Sequence, residues 1–126
     1  MEPKFNELKT LLKRKAKIWG NKPLESDGYS IYYELKDNIQ VFAYLTLDGW
    51  QVGLQLNGAI QTGKVSFRLS QLLHFDKITL PSKDYKYIGN GRGGKGKEFD
   101  IKTEASIIAE EVENCIIEIE RVYENI

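Results

Sequence analysis

Residues 83–97 read KDYKYIGNGRGGKGK and hold the side chains of this chain best suited to binding an anion. Five are basic (Lys83, Lys86, Arg92, Lys95 and Lys97), five are glycine (Gly89, Gly91, Gly93, Gly94 and Gly96), two are tyrosine (Tyr85 and Tyr87), and Asp84 is the one acid. Glycine lets backbone N–H groups approach an anion unobstructed, while lysine and arginine neutralise phosphate charge. A tyrosine beside such a loop offers a ring on which a base can stack. The pattern points to a phosphate-bearing ligand, nucleic acid or nucleotide. Lys83, Tyr85, Lys86, Tyr87, Gly91, Arg92, Gly93, Gly94, Lys95 and Lys97 are its candidate binding residues. The same composition also suits a solvated hairpin tip.

Sharper motifs in this stretch lose their force in context. Residues 91–97 (GRGGKGK) fit the first seven positions of a phosphate-binding P-loop, but Glu98 stands where the magnesium-binding Ser or Thr belongs. No long helix follows directly, and no parallel α/β unit surrounds it, so a nucleotide triphosphatase is rejected. Gly89, Gly91 and Gly94 match a dinucleotide-binding spacing without its strand, helix and distal acid. Asp100-Ile101-Lys102, with Asp84 upstream, imitates the acid-x-lysine signature of metal-dependent nucleases, in which carboxylates hold Mg²⁺. Glu2, Glu7, Glu34, Asp84 and Asp100 all begin such a triplet, where chance alone gives about two. His74 is the only histidine and Cys115 the only cysteine, so a histidine-based triad, a cysteine zinc site and a disulfide framework are excluded within one chain.

The elements that must position this stretch are legible from periodicity. Ala105, Ile108, Val112, Cys115, Ile119, Val122 and Ile126 recur at alternating gaps of three and four, and Ala109, Ile116 and Tyr123 widen the stripe. The spacing predicts a long helix over 103–126, with Thr103 as N-cap, Glu104 on the first turn and Asp100 as a second cap. Phe5, Leu8, Leu12 and Trp19 predict a first helix over 3–19, whose outer face carries Lys9, Lys13, Arg14, Lys15 and Lys17. Between them the period drops to two. Tyr29, Ile31, Tyr33 and Leu35, then Ile39, Val41, Ala43, Leu45 and Leu47, then Trp50, Val52, Leu54 and Leu56, mark three strands. Turns are expected at Asp37-Asn38, Asp48-Gly49 and Asn57-Gly58.

A fourth strand is expected over 64–69, a helical turn over 70–75 and a short strand at Ile78 and Leu80. Residues 83–101 are expected as a hairpin with a long glycine tip. Tyr32, Phe42 and Tyr44 share the sheet's second face, as a stacking platform or as a core face under the first helix. The fold class is α+β: an N-terminal amphipathic helix, an antiparallel meander sheet of four to six strands, and a long C-terminal helix packed on one sheet face, in a single domain over 1–126.

Composition is that of an ordinary globular chain, with 41% hydrophobic and 29% charged residues, and it excludes disorder. No run of about 18 apolar residues exists, and no apolar signal core follows Met1, so the reading is a soluble cytoplasmic chain without membrane contact. Net charge is zero, yet residues 1–22 carry seven basic residues against two acids and residues 103–126 seven glutamates against Arg121. The two helices either complement each other or face different partners. No catalytic constellation is assembled and no cofactor is called for, which favours a non-enzymatic binding domain. The alternative is a protein–protein interaction module of inhibitor, immunity or adaptor type that uses the acidic helix, with a homodimer seam along its stripe. A metal-dependent nuclease is third.

Overall fold

A computed structural model describes residues 2–12, 23–24, 28–35, 39–56, 68–88 and 93–124. Helix α1 (Glu2–Leu11) leads to strands β1 (Pro23–Leu24), β2 (Gly28–Glu34), β3 (Ile39–Thr46) and β4 (Gly49–Leu56). Two 3₁₀ turns (Leu69–Gln71 and Phe75–Lys77) precede β5 (Lys86–Ile88), β6 (Gly94–Phe99) and the long helix α2 (Ala105–Glu124). The strands form one six-stranded sheet in the order β1-β2-β3-β4-β6-β5, every pairing antiparallel. The architecture is α+β, a meander extended by a hairpin that enters through its second strand.

Period-two alternation accounts for the sheet's two faces. The register sets Ile31 against Ala43, Tyr33 against Val41, Ala43 against Val52 and Leu45 against Trp50, so these side chains share one face. All are buried, and they join the α2 stripe of Ala105, Ile108, Val112, Cys115, Ile119 and Val122 in one core cluster. Burying each large aliphatic side chain there contributes about 1.5–3 kcal/mol. That use of the stripe also answers the seam reading: the residues a homodimer would need are spent on the chain's own sheet.

Helix α1 lies on the same side. Phe5 and Leu8 belong to that core, Phe5 stacks on Tyr29 with ring centroids 5.3 Å apart, and Lys4 Nζ donates to the carbonyl of Ile101 at the entry to α2. The expectation of a second face covered by α1 is therefore corrected. The reason is geometric: Tyr29 is in register with Leu45, so the apolar stripe of α1 follows Tyr29 onto the α2 side. On the second face Tyr32, Phe42 and Tyr44 touch ring to ring, at 6.3 and 5.7 Å. Phe42 is only 1% exposed. Burial, then the neighbouring Tyr32 and Glu98, push the Tyr44 hydroxyl above its ordinary pKa. Beside them Gln55 Nε2 donates to Gln40 Oε1 at 3.3 Å, linking β4 to β3.

Several local expectations shift. The β3–β4 turn is Leu47-Asp48 rather than Asp48-Gly49, because Thr46 pairs with Gly49. Leu47 is thus 71% exposed instead of inward. Gly49 follows at φ +126°, where a Cβ would stand 2.4 Å from the carbonyl oxygen of Phe99, so glycine is required twice over. Helix α2 starts at Ala105, with the Glu104 carbonyl accepting from Ile107 and Ile108 N–H, while Thr103 N–H donates to the Asp100 carbonyl. Asp100 Oδ1 accepts from Lys102 N–H at 2.8 Å. The predicted caps therefore form the turn that swings the chain from β6 into α2. Ile78 and Leu80 are not a strand; this segment is held to α2 instead, through Thr79 N–H donating to Glu118 at 2.7 Å and Arg121 donating to the Lys77 carbonyl. Leu69 of the expected fourth strand lies in a 3₁₀ turn. Residues 64–67, the predicted 13–19 half of the first helix, and the Asp37-Asn38 and Asn57-Gly58 turns lie outside the described residues.

Candidate functional site

Glycine governs how the candidate stretch folds. Gly94 and Gly96 are not in a tip but inside β6, paired with Gln55 and Gly53, and the Gly93 carbonyl accepts from Leu56 N–H at 2.9 Å. A Cβ on Gly53 would stand 2.2 Å from the Lys95 carbonyl oxygen, and one on Gly94 would stand 2.9 Å from Ile88 Cγ1. These glycines let β4 and β6 approach closely and seat Ile88, which corrects the reading of Gly93 and Gly94 as anion-facing loop residues. Gly91 and Arg92 lie outside the described residues.

Pairing in the terminal hairpin is short. Strand β5 covers only Gly94 to Gly96, ending at the Lys86–Gly96 pair. One residue earlier, Tyr85 turns toward α2 instead of continuing the ladder. Its hydroxyl lies 2.9 Å from Glu111 Oε1, to which it donates, and 3.3 Å from Cys115 Sγ. Tyr85 is 5% exposed and belongs to the core. A base-stacking role for Tyr85 is therefore corrected, because its ring and hydroxyl are already used. Burial, followed by Cys115 and Glu111, raises the Tyr85 pKa strongly. Burial likewise pushes the Cys115 thiol up to about 12, only partly opposed by the Tyr85 hydrogen bond, so the thiol stays protonated and unreactive.

Where the ladder stops, the strands part around a groove of about 440 Å³ lined by Gln51, Asp84, Lys86, Tyr87, Ile88, Gly96, Lys97 and Glu98. Register sorts the side chains. Lys86 shares a face with Gly96, Glu98 and Gln51, while Tyr87 shares the α2 side with Lys95 and Lys97. Lys95 Nζ lies 5.1 Å from the Tyr87 ring centroid, and Tyr87 is 42% exposed. Lys97 Nζ sits 4.8 Å from the Phe99 centroid and 3.9 Å from Asp84 Oδ2. Such stacking positions an ammonium without consuming its charge. Lys83 is exposed on the approach to β5. Of the predicted residues, then, Tyr87, Lys95 and Lys97 come together on one face, Lys86 stands on the other face of the same strand end, Lys83 stands aside, and Tyr85, Gly93 and Gly94 serve the scaffold.

Gln51, Glu98 and Asp84 were missed as lining residues. A glycine within the otherwise regular β4 was the available signal, since Gly53 marks close approach by another strand and so locates the neighbour of Gln51. For metal chemistry, Asp100 is occupied in its turn and Asp84 is near Lys97. Among the described residues no group of three or more His, Cys, Asp or Glu side chains could hold a metal ion. None of the described helices is long and apolar enough to cross a membrane. The chain matches no protein-family model, no curated protein and no solved structure.

Proposed function

We propose that the protein is a non-enzymatic binding domain for a phosphate-bearing ligand, nucleic acid or nucleotide in class, held at the β5–β6 end of the sheet. The observation that carries this reading is the pairing of basic and aromatic side chains where β5 stops covering β6, with Lys95 and Lys97 on the Tyr87 face and Lys86 on the other face of the same strand end. Lys86 from one face and Lys95 from the other supply positive charge to phosphate oxygens at this edge, and the ring of Tyr87 beside Lys95 supports a base. Beyond Gly96, β6 is paired by β4 alone among the described strands, so its outer backbone edge adds N–H donors.

The test is fluorescence anisotropy with a labelled single-stranded oligonucleotide, together with calorimetry using ATP. The double variant Lys86→Ala/Lys95→Ala is expected to bind at least about tenfold more weakly, with a salt slope flatter by about 0.7 for each phosphate left without its lysine. Unchanged affinity in the double variant would remove this end of the sheet from the binding site.

A second reading, an interaction module, is favoured by a separate surface. Ile107 and Ile117 on the acidic helix α2 are 48% and 50% exposed, and Leu11 and Leu12 border a groove with Ala109, Glu110 and Glu113. Sedimentation that rises with concentration for the parent chain and not for Ile117→Glu would favour self-association through that surface.

A further inference from the structure

Four charged side chains line the β5–β6 groove, and their charges cancel: Lys86 and Lys97 against Asp84 and Glu98. A continuous phosphodiester strand crossing it would meet both carboxylates as well as both cations, which disfavours a polyanion. Its volume of about 440 Å³ falls within the roughly 300–1,000 Å³ of small-ligand pockets. Register then fixes the order of groups on one face. Lys86 stands opposite Gly96, and Glu98, two residues on and opposite Gln51, shares that face. Strand rise sets Glu98 roughly 7 Å beyond Gly96. One cation and one acceptor are thus spaced on the scale of one nucleotide, with side-chain-free Gly96 between them.

We infer that the groove takes a mononucleotide whose base carries an exocyclic amino group: Lys86 holds the phosphate, and Glu98, assisted by the Gln51 amide, accepts from the base amino group. Carboxylates accept from such amino groups, and uracil has none to offer. This rests on the phosphate-site reading and narrows its ligand.

The experiment is calorimetry of the full chain with AMP, CMP, GMP and UMP and with decaadenylate, repeated for Glu98→Ala and for Lys86→Ala. Glu98 and Lys86 are exposed, and circular dichroism confirms that each variant is folded. The expected result is that the three amino-bearing nucleotides bind roughly tenfold tighter than UMP, as one charge-assisted hydrogen bond allows. Glu98→Ala, which leaves no acceptor at that position, closes that gap with little effect on UMP, Lys86→Ala weakens all four, and decaadenylate binds more weakly per site than AMP. Equal affinity for the four nucleotides, or a base preference that survives Glu98→Ala, overturns the inference. Tighter binding of decaadenylate than of AMP overturns it too, while leaving the phosphate site standing. Failure of every nucleotide and of the oligonucleotide to bind overturns both.

Discussion

Helix α2 meets the sheet in two chemically different ways. Over β3 and β4 its contact is apolar, Ile108, Val112 and Ile119 lying in one core with Val41, Leu45, Val52 and Leu54. At the β5 end it presents Glu111 and Cys115, and the contact is the hydroxyl of Tyr85. Apolar packing holds the helix to the sheet but is not directional, whereas hydrogen bonds fix the position of particular atoms. The centre therefore supplies stability, and the end fixes where the chain leaves β5. That departure opens the groove in which Lys86, Tyr87, Lys97 and Glu98 stand.

The comparison breaks first at the centre. Leu54→Ala, at a fully buried position, is expected to cost about 2–5 kcal/mol in urea denaturation; a cost comparable to a surface substitution would show that the core does not carry the fold. Gly53→Ala comes next, at about 1–3 kcal/mol, because its Cβ would meet a backbone oxygen that cannot rotate aside. A neutral outcome would mean that β4 and β6 separate freely.

At the end of the sheet the expected cost is smaller. Tyr85→Phe keeps the ring and removes both polar interactions, for about 1–2 kcal/mol, and should also move the amide signals of Lys86 and Tyr87. In the parent chain at pH 8, Cys115 should react with a thiol reagent only on unfolding, since its buried thiol is pushed up to about 12. Rapid reaction of the native chain would contradict that packing.

The smallest effect is electrostatic. The hydrogen bond from Arg121, with a further one from Thr79 N–H, holds the Glu118 carboxyl below its ordinary pKa. A depressed folded-state pKa gives stability that is full above the unfolded value of about 4.3 and is lost as pH falls through the folded value. Arg121→Ala should lower the melting temperature slightly at neutral pH, and the difference should shrink in acid. A gap that widened in acid would reverse the assignment.

Much of this was legible where one residue's neighbours decide its state. The α2 stripe and the alternation over Tyr29 to Leu56 follow from the sequence because helix and strand periods are properties of the local backbone. The terminal hairpin was harder. Gly94-Lys95-Gly96-Lys97 has almost no strand propensity, and it becomes β6 because β4 offers it a partner, with Gly53 making room. Tyr85 and Tyr87 look equivalent in the sequence, two residues apart, yet one is core and the other surface. The difference is Glu111 and Cys115, 26 and 30 residues further on.

Residue types and the periods in which they recur are properties of the chain alone: a broad apolar helix, three alternating strands, and a lysine-, glycine- and tyrosine-rich stretch without a catalytic set. Folding in three dimensions added that β6 inserts beside β4, that both helices share one face of the sheet, and that Lys95 and Lys97 share the Tyr87 face while Lys86 takes the other. Those outcomes depend on strand register and on contacts between residues far apart in the chain, which no local pattern encodes.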